Sequence, residues 1–389
     1  MVIYDIAKGA DYNNDNKYWA YKSGAFGQYY LGSLMHYSLV KIDKERFYLR
    51  NKGKELAKTI DKSVGNIVLD LFLDCIIKGR ITEAEIEKLQ PIGLHAIVEQ
   101  SSEWKMLNDF LISQDEGGSS LRKETVYLLL SDFKEGIKLQ DFVEHRFFSV
   151  KNECKCRTAA FGWYFYYLCE KFHYCIETIF CFILNEIDEH RDLLLDILIN
   201  DAVDRLISHI VKIRFYDNVD EWKQYCTRPI AEQFSEIKYA VESQEYAAAA
   251  SKAIELCLRL YNELKDNEVE INEFEQCYDL YSQRGILREG LQDYVGRYLS
   301  YTPEAYIRVL MHQVMNEHTF VAISKMGCSN VDLRKFIIEN GCAVLVEKRF
   351  PNQTNPRIGS LCNFLVDLGY LSDDGKLTDI AYQYLNNYA

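Results

Sequence analysis

Apolar residues recur with the period of an α-helix along most of the chain. NIVLDLFLDCIIK closes at Gly79, a residue suited to a helix C-cap. TEAEIEKL opens on Thr82 with Glu85 three residues later, the spacing of a capping box. SSEWKMLNDFLIS stops before the turn QDEGGSS, and LRKETVYLLLSDFKEG follows. The apolar segment 158–187 predicts one long helix. DLLLDILINDAVDRLISHIVKIRFY, EQFSEIKYAVESQEYAAAASKAIELCLRLYNELK and TPEAYIRVLMHQVMNEHTFVAISKMG predict more, the last beginning at the pair Thr302–Pro303. Alternating strand patterns are scarce: RFYLR (46–50), KLTD (376–379) and CAVLVE (342–347) are the candidates. The expected class is therefore mainly α.

The C-terminal stretch RIGSLCNFLVDLGYLSDDGKLTDIAYQYL has a distinct grammar. A helix runs to Leu368 and Gly369 supplies a left-handed cap. Tyr370–Leu371 enter a first short strand, SDDGK turns, Leu377–Thr378 return, and Thr378 caps a final helix at 379–386. The same order occurs in YYLGSLMHYSLVKIDKERFYLRNKGKELAKTI. There Leu34 matches Leu365, Ser38 stands in the place of Gly369, and Leu39–Val40 match Tyr370–Leu371. DKER forms the tip, Leu49–Arg50 match Leu377–Thr378, and 53–60 carry the closing helix. Both stretches resemble winged helix-turn-helix modules. The resemblance implies a helical body at 66–328, with candidate breaks near 150 and 300. Winged-helix-like units with short β-hairpin wings would flank it at 1–65 and 329–389. Such modules read DNA or dock proteins, and helical accessory proteins of prokaryotic DNA-handling and antiphage systems carry them.

Charge narrows this. The 389 residues hold 58 acids against 45 Lys and Arg, a net charge of -13, which excludes nucleic-acid binding over the whole surface. Around the first wing the balance inverts. Lys41, Lys44, Arg46, Arg50, Lys52, Lys54, Lys58 and Lys62 face Asp43, Glu45, Glu55 and Asp61, a local net of +4. Lys41, Lys44, Arg46, Arg50, Lys52 and Lys54 are candidate phosphate contacts. Arg349 and Arg357, in the loop EKRFPNQTNPR, are two more. The second wing carries Asp373 and Asp374 and reads as a protein-contact surface.

The twelve cysteines sit largely within apolar runs, where a free thiol packs as a small hydrophobe. The opening MVIYDIAKGADYNNDNK lacks the basic start and apolar run of a secretory leader. Reduced thiols and a cytoplasmic location are expected. The longest apolar run, 176–184, falls far short of a bilayer span, so no membrane partner is expected.

Candidate chemistry is thin. Cys154, Cys156, Cys169 and His173 offer the donors of a tetrahedral zinc site but lack the paired C-x2-C spacing; small thiols packing a buried helix is the competing reading. His312, Glu317 and His318 in MHQVMNEH do not form H-E-x-x-H. Arg205…His209 and Arg308…His312 fall short of the Arg…His spacing of helical HEPN-type ribonucleases, and Leu206 and Val309 stand where that family has a polar residue. Walker, G-x-G-x-x-G and G-x-S-x-G patterns are lacking, and no cofactor is expected. The expected function is a non-enzymatic DNA-binding or partner-docking subunit of a prokaryotic multi-protein assembly, in DNA maintenance or antiphage defence. An ATPase or nuclease subunit is the expected partner, with DNA contacted through the N-terminal wing. The alternatives are a helical nuclease or metal-dependent hydrolase with an unrecognised site, and a transcription regulator.

Overall fold

A computed structural model describes residues 31–43, 46–113, 120–150, 155–210, 213–277, 286–326, 332–354 and 356–388. Along the chain run α1 (Leu31–His36), β1 (Val40–Asp43), β2 (Arg46–Leu49), α2 (Asn51–Val64), α3 (Asn66–Lys78), α4 (Glu83–Lys88), α5 (Ser102–Ile112) and α6 (Leu121–Lys134). Next come α7 (Phe142–Ser149), α8 (Arg157–Glu189), α9 (Leu195–His209), α10 (Val219–Tyr225), α11 (Ile230–Glu242), α12 (Tyr246–Asp266) and α13 (Glu268–Cys277). The rest is α14 (Ile286–Tyr294), α15 (Pro303–Met326), β3 (Phe336–Glu339), β4 (Cys342–Leu345), α16 (Ile358–Asp367) and α17 (Asp379–Tyr388). The protein is mainly helical, and its strands form two antiparallel hairpins, β1–β2 and β3–β4. No described helix is long and apolar enough to cross a membrane.

Local signals hold where the sequence marks them. Thr82 and Glu85 form a reciprocal capping box at α4, Gly79 ends α3 with φ 63°, and α15 begins at Pro303. The strand expected at 376–379 shrinks to a single bridge, Leu371 to Leu377, because Ser372–Lys376 close tightly about Gly375, whose φ is 76°. The 342–347 pattern proves to be one arm of β3–β4. Its turn is Asn340–Gly341, both at positive φ (52° and 82°), the residue pair a two-residue hairpin favours.

The chain divides into two compact units. One comprises residues 1–142 with 357–389, the other 143–356. In the discontinuous unit, two segments from opposite ends of the sequence pack on α5 and α6. Leu39, Val40 and Phe110 form a small core with Leu34, Tyr37, Leu56 and Leu107, which seats the β1–β2 hairpin against one face of α5. Ser63 Oγ donates to Glu103 (2.5 Å) and Thr59 Oγ1 to the Met106 sulfur (3.2 Å), placing α2 along that same face. A different face of α5 receives the C-terminal segment. Trp104 Nε1 donates to Leu368 O (2.9 Å), and Tyr370 Oη bonds Asn108 Oδ1 (2.6 Å). Helix α6 is shared likewise: Arg122 lies 4.7 Å from the Tyr37 ring, while Tyr127 stacks on Tyr388 at 4.3 Å.

The second unit is built on α8, 33 residues long and buried along most of its length. Helix α12 lies beside it, and Ala249, Ala250 and Ala253, each fully buried, keep the α12 backbone close to its neighbours. At one end Tyr164 Oη donates to Glu263 (2.8 Å) and accepts from Asn267 Nδ2 (3.0 Å). The β3–β4 hairpin belongs to this unit and is tied to the start of α9 by Leu195 N–H to Gly341 O (2.9 Å). Of the described cysteines, Cys75, Cys156, Cys175, Cys181, Cys226, Cys257 and Cys362 are buried, while Cys169 and Cys342 are half-buried.

A lysine sits in this core. Lys171 of α8 is 9% exposed, with its Nζ 3.6 Å from the centre of the Phe234 ring and 4.6 Å from that of Tyr167. Burial lowers its pKa to about 8, against the opposing pull of Glu144. Below that value the fold holds a desolvated ammonium at a cost of roughly 3 kcal/mol, partly offset by the ring faces. At Lys171 the folded state binds fewer protons than the unfolded chain between about pH 8 and 10.5, so this group by itself makes stability rise across that interval. The thiols of Cys175, Cys181, Cys226 and Cys362, raised by burial, oppose this rise from about pH 8.5, and Tyr164 and Tyr294 from about pH 10, because these groups stay protonated only in the fold. Lys171→Met should raise stability at pH 7 by about 1–3 kcal/mol, and its advantage over the wild type should shrink steadily above pH 8. Urea melts at pH 7, 8 and 9.5 check this; an unchanged pH profile in Lys171→Met would refute it.

Candidate functional site

The segment α1–β1–β2–α2 is the candidate surface, and its geometry starts from one backbone device. Helix α1 ends on Ser38 at φ 57°. Ser38 N–H donates to Met35 O and Leu39 N–H to Leu34 O, both at 2.9 Å, the two bonds of a Schellman cap. The C-terminal segment repeats it. Gly369 has φ 78°, its N–H donates to Val366 O (2.9 Å), and Tyr370 N–H donates to Leu365 O (2.8 Å). The return strands close in the same way, Arg50 N–H to Leu39 O (2.9 Å) and Thr378 N–H to Tyr370 O (3.1 Å). Val40 pairs with Leu49 as Leu371 does with Leu377. The residue-by-residue match between the two segments is thus a match of hydrogen bonds. Ser38 adopts the left-handed conformation that Gly369 takes without steric penalty.

The copies differ in filling. In the C-terminal one, Ala381 and Leu385 of α17 are buried at the positions that Gly53 and Ala57 hold in α2. Smaller residues in α2 leave an open apolar groove of about 320 Å3 between the helix and the hairpin face carrying Phe47 and Leu49.

They differ also in charge. Register places Lys41 opposite Tyr48 and Asp43 opposite Arg46, on the hairpin face opposite to that of Val40 and Leu49. Lys41 and Arg46 are exposed, and Lys41 Nζ lies 5.8 Å from the Tyr48 ring. On α2, Lys54, Lys58 and Lys62 recur every four residues, forming an exposed row with steps of about 6 Å. Lys52 is half-buried and Arg50 exposed at the helix entry, while Lys44 lies outside the described residues. Among the described residues, Arg46, Lys52, Lys54, Lys58 and Lys62 form no ion pair. The tip of the C-terminal copy instead carries Asp374 paired with Lys376.

Other sequence candidates fall elsewhere. Arg349 belongs to the second unit, where its Nη2 donates to Glu177 (2.9 Å), and neighbouring Lys348 pairs with Asp188 (2.8 Å). Arg357 is exposed at the start of α16 in the first unit. The four-ligand zinc arrangement is not assembled among the described residues. Cys156 is the buried N-cap of α8, Cys169 lies about 20 Å further along the axis, and His173 is exposed beside Glu177; Cys154 lies outside the described residues. Arg205 is bound by Glu186 (3.1 Å) and Glu189 (3.4 Å), and Arg308 by Glu304 (3.3 Å). His318 is turned into the second unit, where its Nε2 accepts from Lys335 N–H (3.0 Å). Sequence reasoning missed the groove, although Gly53 and Ala57 spaced four apart on an otherwise large-residue helix face are its visible signal. No protein-family model matches the chain, and no curated protein and no solved structure shows significant similarity to it.

Proposed function

We propose that this protein is a non-catalytic subunit of a prokaryotic DNA-handling or antiphage assembly, with a winged-helix-like module at each end of the sequence. The N-terminal module contacts duplex DNA through phosphates, and the acidic C-terminal module docks a protein partner such as an ATPase or nuclease. The observation that carries this reading is the pairing of one backbone design with two opposite charge patterns. The N-terminal copy exposes Lys41, Arg46 and the Lys54–Lys58–Lys62 row within a chain of net charge -13. Cations held on a hairpin and along one helix edge suit backbone contact, which positions a protein without reading sequence. Helix α1, LGSLMH, offers few donors for base edges in a major groove.

Binding should therefore be weak in sequence preference and steep in salt. Replacing Lys41, Arg46 and Lys54 together by Ala removes three phosphate contacts, which should flatten the log–log salt slope by about 2.7 and weaken all duplexes alike. Fluorescence anisotropy with two unrelated duplexes across a salt series reads both effects. Absence of duplex binding by the wild type at low salt, alone or with its co-purifying partner, would overturn the DNA-contact reading.

A further inference from the structure

The second unit contains a cavity of about 440 Å3, a volume typical of small-molecule sites. Its walls are apolar: Ile176 and Phe180 from α8, Val314, Val321 and Ala322 from α15, and Leu333 beyond it. Charged groups gather at its edge, and their pairings decide what it can hold. Glu177 accepts from Arg349 Nη2 (2.9 Å) and from Asn352 N–H (2.7 Å), with His173 Nε2 3.5 Å away. Glu317 accepts a hydrogen bond from Tyr294 Oη, and Lys335 pairs with Glu347. The acids facing the cavity are thereby engaged. Lys325 lines it too, and among the described residues no carboxylate pairs with this ammonium.

His318 reports the same polarity. Its Nε2 accepts from Lys335 N–H, so in the neutral ring the proton resides on Nδ1, which is a donor. Burial, then Lys335 and Arg349, hold its pKa below the ordinary value. A half-buried imidazole beside the unpaired Lys325 ammonium at one cavity disfavours a cationic guest and favours an anionic one.

We propose that this cavity binds a small molecule with an apolar body and an anionic head, a carboxylate or a phosphate, with Lys325 and His318 Nδ1 as donors to the head. The walls take up the apolar body. An alkyl amine is rejected because Glu177 and Glu317 are already engaged and the unpaired Lys325 ammonium would face it.

Isothermal titration of the full chain with sodium octanoate and with octyl phosphate tests this; octylamine and octyl glucoside serve as controls of charge. The anionic probes should bind at least tenfold more tightly than octylamine, and the ratio between them identifies the preferred head. Lys325→Ala, an exposed position, should weaken anion binding tenfold or more with little effect on octyl glucoside. Val321→Trp, which fills the cavity from its half-exposed rim, should abolish binding of every probe. The His318 titration, followed by NMR, should move upward when octanoate saturates the site. Equal affinity for octylamine and octanoate, no effect of Lys325→Ala, a stationary His318 titration, or no heat from either anion at millimolar concentration would each overturn the assignment.

Discussion

Alanine at Gly53 should open the N-terminal hairpin module. A Cβ built there lies 2.2 Å from the carbonyl oxygen of Leu39 and 3.0 Å from its carbon. Both are backbone atoms, so no rotamer change relieves the overlap. The contact is close because Leu39 O also receives the Arg50 N–H, which draws the entry of α2 onto the start of β1. In an unconstrained helix, glycine to alanine stabilises by about 1 kcal/mol. Here the clash should outweigh that gain and destabilise by about 3 kcal/mol. Gly359 supplies the control, since a Cβ at that α16 position meets nothing within 4 Å. Gly359→Ala should raise stability while Gly53→Ala lowers it, and hydrogen exchange should show the loss concentrated in α1, β1, β2 and α2. Equal stability of the two variants would refute the close approach.

Trp104→Ala should cost about 3–5 kcal/mol and release the C-terminal module. The indole is 7% exposed and bonds Leu368 O, the carbonyl directly before the Gly369 cap. Removing it opens a cavity and orphans a buried acceptor. Trp104→Phe separates the two contributions: it keeps most of the packing and loses the hydrogen bond, for about 1 kcal/mol. Exchange protection of α16 and α17 should fall in the alanine variant with a smaller change in α1 and β1, whose contacts are on another face of α5. Uniform loss across the unit would mean that α5 itself unfolds.

Much of the local structure was legible because it is written in adjacent residues. Thr82 with Glu85, Gly79, Thr302–Pro303 and Gly369 each satisfy exposed backbone groups at a helix end, and such devices need only a few positions. The likeness of the terminal segments was legible for the same reason, down to Ser38 in the place of a glycine. Long-range arrangement was not. Nothing near Trp104 in sequence announces a carbonyl at Leu368, and nothing near His173 announces Arg349 or His318. Asn340–Gly341 did carry a hairpin signal, but four-residue strands give too short an alternation to separate from a buried helix end. The Cys and His donors around α8 shared a stretch of sequence without sharing a place, because 1.5 Å per residue separates Cys156 from Cys169 by several turns.

The discontinuity of the first unit sets a schedule for synthesis. Trp104 and Leu368 are 264 residues apart, so at 5–20 residues per second the ribosome needs roughly 13–50 s to deliver the partner of a finished helix. During that interval the second face of α5 has no C-terminal module to cover it. Residues 143–356 form the other compact unit and are complete before α16 is made. The inserted unit can therefore fold first and hold the two flanking segments on one tethered chain. The nascent protein exposes Trp104 until the segment carrying Leu368 emerges, which makes slow elongation the hazardous condition and the docking of α16 and α17 the step that ends it.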